Sequence, residues 1–158
     1  MSRGRSIAVL LLCLAACFGA AAAGSVGTAA GLQWYRGIAK PSWTPPDAVF
    51  GPVWTVLYAM MAVAAWRVWV REGFSRARLP LAVFFIHLAV NTAWTLLFFG
   101  MRSPGLSLLD ILVLWVLIGI LIMLFWKHSR LASLLLVPYF LWVSFATALN
   151  ATISWMNR

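Results

Sequence analysis

The chain has 158 residues, of which 64% are hydrophobic and only 9% charged, against about a quarter charged in an ordinary soluble domain. So few charges cannot cover a water-facing surface, which excludes a soluble globular enzyme or binding module. The net charge of +9 does not point to nucleic acid: the Lys and Arg residues stand at the ends of apolar blocks, as they do beside membrane helices, and no basic run is interleaved with aromatics in a polar region.

The apolar residues fall in blocks of about 20, the length that spans a bilayer core as a helix. The expected fold is all-α, a polytopic membrane protein forming one domain (1–158), a five-transmembrane-helix bundle. The first helix covers 6–30. Its basic start, apolar core and Ala-rich tail imitate a secretory signal, and Leu14 to Cys17 matches a lipoprotein cleavage box. The apolar run nevertheless continues to about Ala30, so a spanning helix is expected. Within it Ala15, Gly19, Ala23, Gly27 and Gly31 recur at every fourth position. Such a ridge lets two helix backbones approach closely, either within one bundle or between two copies. Cys13 and Cys17 share a face one turn apart, with no acid or His nearby in sequence, and read as small packing residues.

A long connection, 31–46, follows. It holds Trp34, Tyr35, Trp43 and three prolines, too stiff and bulky for a disordered linker. Long connections in compact bundles are often functional. The second helix is expected over 47–70, the third over 79–100, the fourth over 104–126 and the fifth over 131–155. Pro104 suits a first helical turn, and Pro138 should kink the fifth helix. Arg3, Arg5, Arg67, Arg71, Arg76, Arg78, Lys127 and Arg130 fall on one side; Arg36, Lys40, Arg102 and Arg158 fall on the other. The positive-inside tendency then places the N-terminus in the cytoplasm, with the 31–46 loop and the C-terminus outside. A bacterial cell membrane is favoured, though the rule would not orient the chain in an outer membrane.

Ten tryptophans exceed what interfacial anchoring needs. Trp34, Trp43, Trp66, Trp69, Trp126 and Trp155 lie near block ends; Trp54, Trp94, Trp115 and Trp142 lie inside spans, where an indole N–H requires a partner. Three helices carry inward stripes at helical spacing: Trp54, Tyr58, Met61 and Ala65; His87, Asn91, Trp94 and Phe98; Trp142, Ala146 and Asn150. These fit either a core held by interhelical hydrogen bonds or a pocket for a flat apolar ligand. Three acids and two histidines, scattered along the chain, supply no nucleophile–base set and no metal cluster. Asp47 reads as an exposed N-cap, and Asp110 as a partner for a basic side chain or water.

The runs "WYRGIAKPSWTPPDAVFGPVWTVLY" (34–58), "NTAWTLLFFG" (91–100) and "VPYFLWVSFATALN" (137–150) resemble the translocator protein / tryptophan-rich sensory protein family, TspO/MBR, also called the peripheral benzodiazepine receptor family. The resemblance covers nearly the whole chain, and its three motifs stand in the family's order. It implies a five-helix bundle, commonly dimeric, that binds porphyrins (tetrapyrroles) and benzodiazepine-site small molecules with no required cofactor. By motif the ligand-binding residues would be Tyr35, Pro46, Trp54, Asn91, Trp142 and Ala146, with Trp43 and Trp94 as further contributors. The implied role is sensing, transport or turnover of such ligands. The alternatives are a light-dependent porphyrin-degrading enzyme using Trp54 and Trp142, and a structural or regulatory membrane protein without turnover. The animal sterol motif needs a basic residue soon after a Tyr in the fifth helix. Here Tyr139 has none before Arg158, which counts against sterol, although Leu32, Tyr35 and Lys40 satisfy a looser pattern. Asp47 and Ala48 also stand where bulkier residues are frequent in the family.

Overall fold

The computed structural model describes residues 2–158. They form four long helices: α1 (Arg3–Gly37), α2 (Asp47–Thr95), α3 (Pro104–His128) and α4 (Arg130–Met156). A π-helical turn, Leu96–Gly100, continues α2 without a break. Each of the four is long and apolar enough to cross a membrane. Their outward faces carry Leu11, Val26, Leu109, Met123 and Leu141, all exposed, which suits hydrocarbon rather than water as the surrounding solvent.

The expected count of five separate helices is not matched. The segments expected over 47–70 and 79–100 belong to one 54-residue element, Asp47–Gly100, and 71–78 is helical except at Gly73 rather than a loop. A straight helix of that length would run about 80 Å. Yet Asn91 Nδ2 lies 3.0 Å from the Tyr58 hydroxyl, and the Trp54 and Trp94 rings are 6.5 Å apart. Residues so distant in sequence can meet only if the element folds back on itself. The fold-back is at Gly73, whose φ of 73° and ψ of 162° leave the helical region. That combination is essentially restricted to glycine, because a Cβ would clash with the flanking peptide. The turn is therefore made by one residue, so no stretch of loop composition marks it.

The first helix also extends past the expected end at Ala30 to Gly37, which shortens the long connection to 38–46. Pro104 starts α3 as expected. Helix α4 continues through Pro138, so the expected kink does not divide it.

Helix α1 packs on α2 and the π turn, α2 packs on α3 and α4, and α3 packs on α4; α1 makes no backbone approach to α3 or α4. The core is centred on α2, with Met61, Ala65, Phe84, Leu121, Leu136 and Tyr139 completely enclosed. The small-residue ridge divides in two. Gly27 and Gly31 are buried, whereas Ala15, Gly19 and Ala23 are exposed, because a four-residue repeat drifts around a helix of 3.6 residues per turn. At Gly31 a Cβ would stand 2.2 Å from the Phe99 carbonyl oxygen, and at Gly27 one would stand 3.3 Å from the Leu96 Cα. The lower ridge is thus an intramolecular contact between α1 and the π turn. Cys13 and Cys17 are free and buried against this core.

Candidate functional site

The gap between α1 and α4 is a cavity of about 500 Å³, within the usual range for small-molecule pockets. Its walls come from every helix but α3. Helix α1 supplies Phe18, Gly24, Ser25, Thr28 and Tyr35; the first arm of α2 supplies Phe50, Trp54, Thr55 and Tyr58. The second arm and π turn supply Trp94, Thr95, Phe98 and Phe99, and α4 supplies Ala146, Leu149, Asn150 and Ile153.

The aromatic wall is continuous. Trp54 packs on Tyr58 at 5.7 Å, on Tyr139 at 6.2 Å and on Trp94 at 6.5 Å between ring centroids. Trp94 in turn stacks on Phe98 at 5.7 Å, and Tyr35 meets Phe99 at 5.4 Å. A π turn has more than four residues per turn, so Trp94, Phe98 and Phe99 all reach the same face. Such single-turn distortions are frequent at functional sites.

The polar groups in this wall are held in place. Asn150, only 2% exposed, accepts from Trp94 Nε1 at 3.0 Å and from Ser107 Oγ at 3.1 Å, and its Nδ2 donates to the Pro104 carbonyl at 2.8 Å. One amide thereby ties α4 to α3 and to the second arm of α2. Asn91 Nδ2 donates to Tyr58 Oη, which fixes that phenol at the inner end. His87 is fully buried, with Nδ1 against the Phe84 carbonyl, while its Nε2 and the Tyr139 hydroxyl have no partner.

The short connection 38–46 is pinned beside the cavity residue Tyr35, over whose ring Lys40 Nζ stands at 4.9 Å. Lys40 Nζ donates to the carbonyls of Tyr35 (2.6 Å), Ile38 (3.1 Å) and Arg36 (3.2 Å), capping α1. Arg36 pairs with Asp47 at 3.1 Å, joining the end of α1 to the start of α2. Asn157 grips the Ala39 peptide twice: Nδ2 donates to its carbonyl at 2.9 Å, and Oδ1 accepts from its N–H at 3.1 Å. Trp43 rests on Phe145 at 5.7 Å.

Of the expected site residues, Tyr35, Trp54, Trp94 and Ala146 line the cavity. The others do not. Asn91 sits behind Tyr58. Trp142 stands behind Phe50, with centroids 5.9 Å apart, and its indole N–H is buried without a partner. Trp43 is 47% exposed in the connection, and Pro46 precedes the first turn of α2. Asp47 does not cap its helix but pairs with Arg36, and Asp110 leaves one buried oxygen without a partner. Phe18, Ser25 and Thr28 escaped sequence reading, since α1 shows a small-residue ridge more plainly than a binding face. The signal available was the pair of hydroxyls, Ser25 and Thr28, inside an otherwise apolar span. No group of three or more His, Cys, Asp or Glu among the described residues could hold a metal.

Residues 8–156 match the model of the TspO/MBR family. The chain belongs to that family. It is 43% identical to the tryptophan-rich protein TspO of Chlorobaculum tepidum over 97% of this chain and 98% of the relative. It is 41% identical to the human translocator protein over 76% of this chain and 72% of that one. The tryptophan-rich sensory protein of Cereibacter sphaeroides is 38% identical over 90% of this chain and 87% of its own length. As a TspO/MBR member with membrane-spanning helices, the chain is an integral membrane protein of the sensory and translocator type.

Proposed function

We propose that the cavity between α1 and α4 binds porphyrins and other flat hydrophobic ligands, benzodiazepine-site molecules among them, and that the protein senses or carries them in the membrane. The observation that carries this reading is the run of Tyr58, Trp54, Trp94 and Phe98 along one wall. Aromatic rings in contact along one wall present a broad apolar surface on which a macrocycle can pack. Thr28, Thr55 and Asn150 supply the few polar groups that would orient its edge. The 38–46 connection acts as the lid, and no resident cofactor enters the reading.

Titration with protoporphyrin, followed by tryptophan fluorescence, tests it. Saturable quenching is expected, and Trp54→Ala should weaken binding up to about tenfold, since an aromatic contact is worth roughly 0.5–1.5 kcal/mol beyond lost area. Absence of saturable quenching, or an unchanged affinity in both Trp54→Ala and Phe98→Ala, would sink the proposal. The degradative reading asks Trp54 and Trp142 to touch the ring together. Because Trp142 stands behind Phe50, binding without turnover is the reading favoured here, and illumination of the complex discriminates by whether porphyrin absorbance is lost.

The same reading places five crossings in a bacterial cell membrane: α1, the two arms of α2, α3 and α4. Support comes from the length of α2, far beyond a bilayer core of about 30 Å, and from its fold-back at Gly73. Association as a homodimer would use the exposed Ala15, Gly19 and Ala23, which offer close backbone approach.

A further inference from the structure

A second cavity lies at the end of the bundle farthest from the aromatic one, with a volume of about 470 Å³. It is lined by Arg67 and Arg71 from the first arm of α2, by Trp126 and Lys127 at the end of α3, and by Arg130 and Leu131 at the start of α4. Ser129 and His128 complete the turn between those helices. Trp66, beside Arg67, donates its indole N–H to the Ser6 carbonyl at 3.0 Å, so this is the end that also holds the N-terminus.

The arginine and lysine side chains at this cavity make no salt bridge. Among the described residues a carboxylate meets a basic side chain in two places, Arg36–Asp47 at the opposite end and Glu72 beside the His128 ring nitrogen at 3.8 Å. Glu72, the one acid nearby, lies against His128, and none of Arg67, Arg71, Lys127 and Arg130, which line the cavity, is paired with a carboxylate. Arg67 Nε is moreover buried with no hydrogen-bond partner, a costly arrangement for a guanidinium unless something else accepts from it. The first turn of α4 adds to the field. Ser129 Oγ accepts only the Ala132 amide, and the amides of Arg130 and Leu131 begin a helix, where no intrahelical acceptor exists. Two arginines, a lysine and a third arginine around a polar hollow are the donors that phosphate oxygens require. Trp126 and Leu131, each 49% exposed beside them, give the rim the mixed character of a headgroup–acyl boundary.

We propose that this basic cavity is a binding site for a phosphate-bearing anion, separate from the aromatic pocket, and that it takes the headgroup of an anionic phospholipid. The phosphate is gripped by Arg67 and Arg71 on one side and by Lys127 and Arg130 on the other. An acyl chain then leaves past Trp126 and Leu131 along the apolar outer face.

The test uses the full chain in detergent, with native mass spectrometry and with nanodiscs of phosphatidylglycerol or phosphatidylcholine. Wild-type protein should retain phosphatidylglycerol at least tenfold better than phosphatidylcholine. Arg67→Gln combined with Arg71→Gln should lower that retention about tenfold, the loss of one good charge-assisted contact. Arg76→Gln combined with Arg78→Gln removes the same charge from the same end but outside the cavity, and should change retention less than twofold. Equal losses in the two pairs would show only diffuse attraction and overturn the site, as would no preference between the lipids. Inorganic phosphate and pyrophosphate serve as competitors. Failure to displace the lipid at millimolar concentration identifies the headgroup as the occupant, whereas displacement with measurable direct binding assigns the site to a free phosphate compound and overturns the lipid assignment. Circular dichroism and protoporphyrin quenching of each variant report folding, and both should stay at the wild-type level. The Lys127→Gln variant gives a second route if the double arginine variant does not fold.

Discussion

Asn150 makes three hydrogen bonds in the wall of the aromatic cavity. Its oxygen accepts two hydrogen bonds and its nitrogen donates one, all to groups on other elements. In Asn150→Ala the Trp94 indole loses its acceptor in a buried site, and an unsatisfied group there costs about 1–3 kcal/mol, while the Ser107 hydroxyl still has the Pro104 carbonyl at 3.0 Å. A clearly lowered thermal midpoint in detergent is expected, together with weaker porphyrin quenching because Trp94 is no longer oriented. Asn150→Asp keeps the acceptor but not the donor and should fall between. An unchanged midpoint in Asn150→Ala would show that the bracket contributes nothing. The glycines of α1 give a second pair of opposite outcomes. At Gly31 even a methyl group would overlap the Phe99 backbone, and backbone cannot step aside as a side chain tip can. Gly31→Ala should therefore destabilise by at least about 1–3 kcal/mol, the usual cost of overpacking. Gly19 has nothing within 4 Å of an added Cβ, and Gly19→Ala should raise the melting midpoint, helix propensity favouring Ala by up to about 1 kcal/mol. Both substitutions look alike in sequence, since both fall on the same four-residue ridge; only the distance to the π turn separates them.

At the scale of elements, the turn within α2 builds the pocket, and the 38–46 connection is the proposed lid over it. Gly73 reverses the chain with dihedrals that carry a penalty of about 1–3 kcal/mol for other residues. Gly73→Ala should lower stability by that amount, while Gly37→Ala, at a helix end with open space around it, should have little effect. Thermal unfolding of the two variants side by side checks this. The lid is held by the paired contacts of Asn157 with Ala39 and by the Lys40 cap. Asn157→Ala should speed porphyrin release several-fold in stopped-flow measurements with little change in the melting midpoint. The Arg36–Asp47 pair is exposed on both sides, and exposed pairs contribute little. Arg36→Gln should leave release unaltered at physiological salt. Much of this was legible beforehand. The inward stripes on α2 and α4 follow from helical spacing, and Trp54, Trp94, Asn150 and Ala146 come from them. The lid latch was not legible, because Asn157 and Ala39 are separated by 118 positions and neither has a distinctive pattern around it.

At the scale of the molecule, the two ends differ in charge and in shape. One end carries eight of the twelve basic residues and a polar hollow; the other carries the lid and the aromatic cavity. A chain inserted by the positive-inside tendency presents the first end to the cytoplasm. Cysteine introduced at Ser2 and at Arg158, in a background with Cys13→Ala and Cys17→Ala, should then label from opposite sides of a sealed cell: Ser2→Cys only after permeabilisation, Arg158→Cys without it. Labelling of both from the same side would contradict the five crossings. The arrangement has a functional consequence within the proposal. In that orientation the proposed lid would face the exterior, and ligand would enter there or laterally between α1 and α4, which make no backbone approach to each other.

Composition and periodicity by themselves determined that this chain is all-helical, belongs in a membrane and turns an aromatic face inward, because hydropathy and helical spacing are local properties of a sequence. The family also followed from local motifs, 34–58, 91–100 and 137–150. What the tertiary structure decided depends on distances between segments far apart in the chain. It folded 54 residues into one element reversed at a single glycine. It split the small ridge between an internal contact at Gly31 and an outward face at Gly19. It put Phe18 and Thr28 into the cavity wall and left Trp142 behind Phe50. It also gathered Arg67, Arg71, Lys127 and Arg130 around one hollow. Each of these turns on which side chain faces which neighbour after packing, and a helix of known period still has a rotation about its axis that only its neighbours can set.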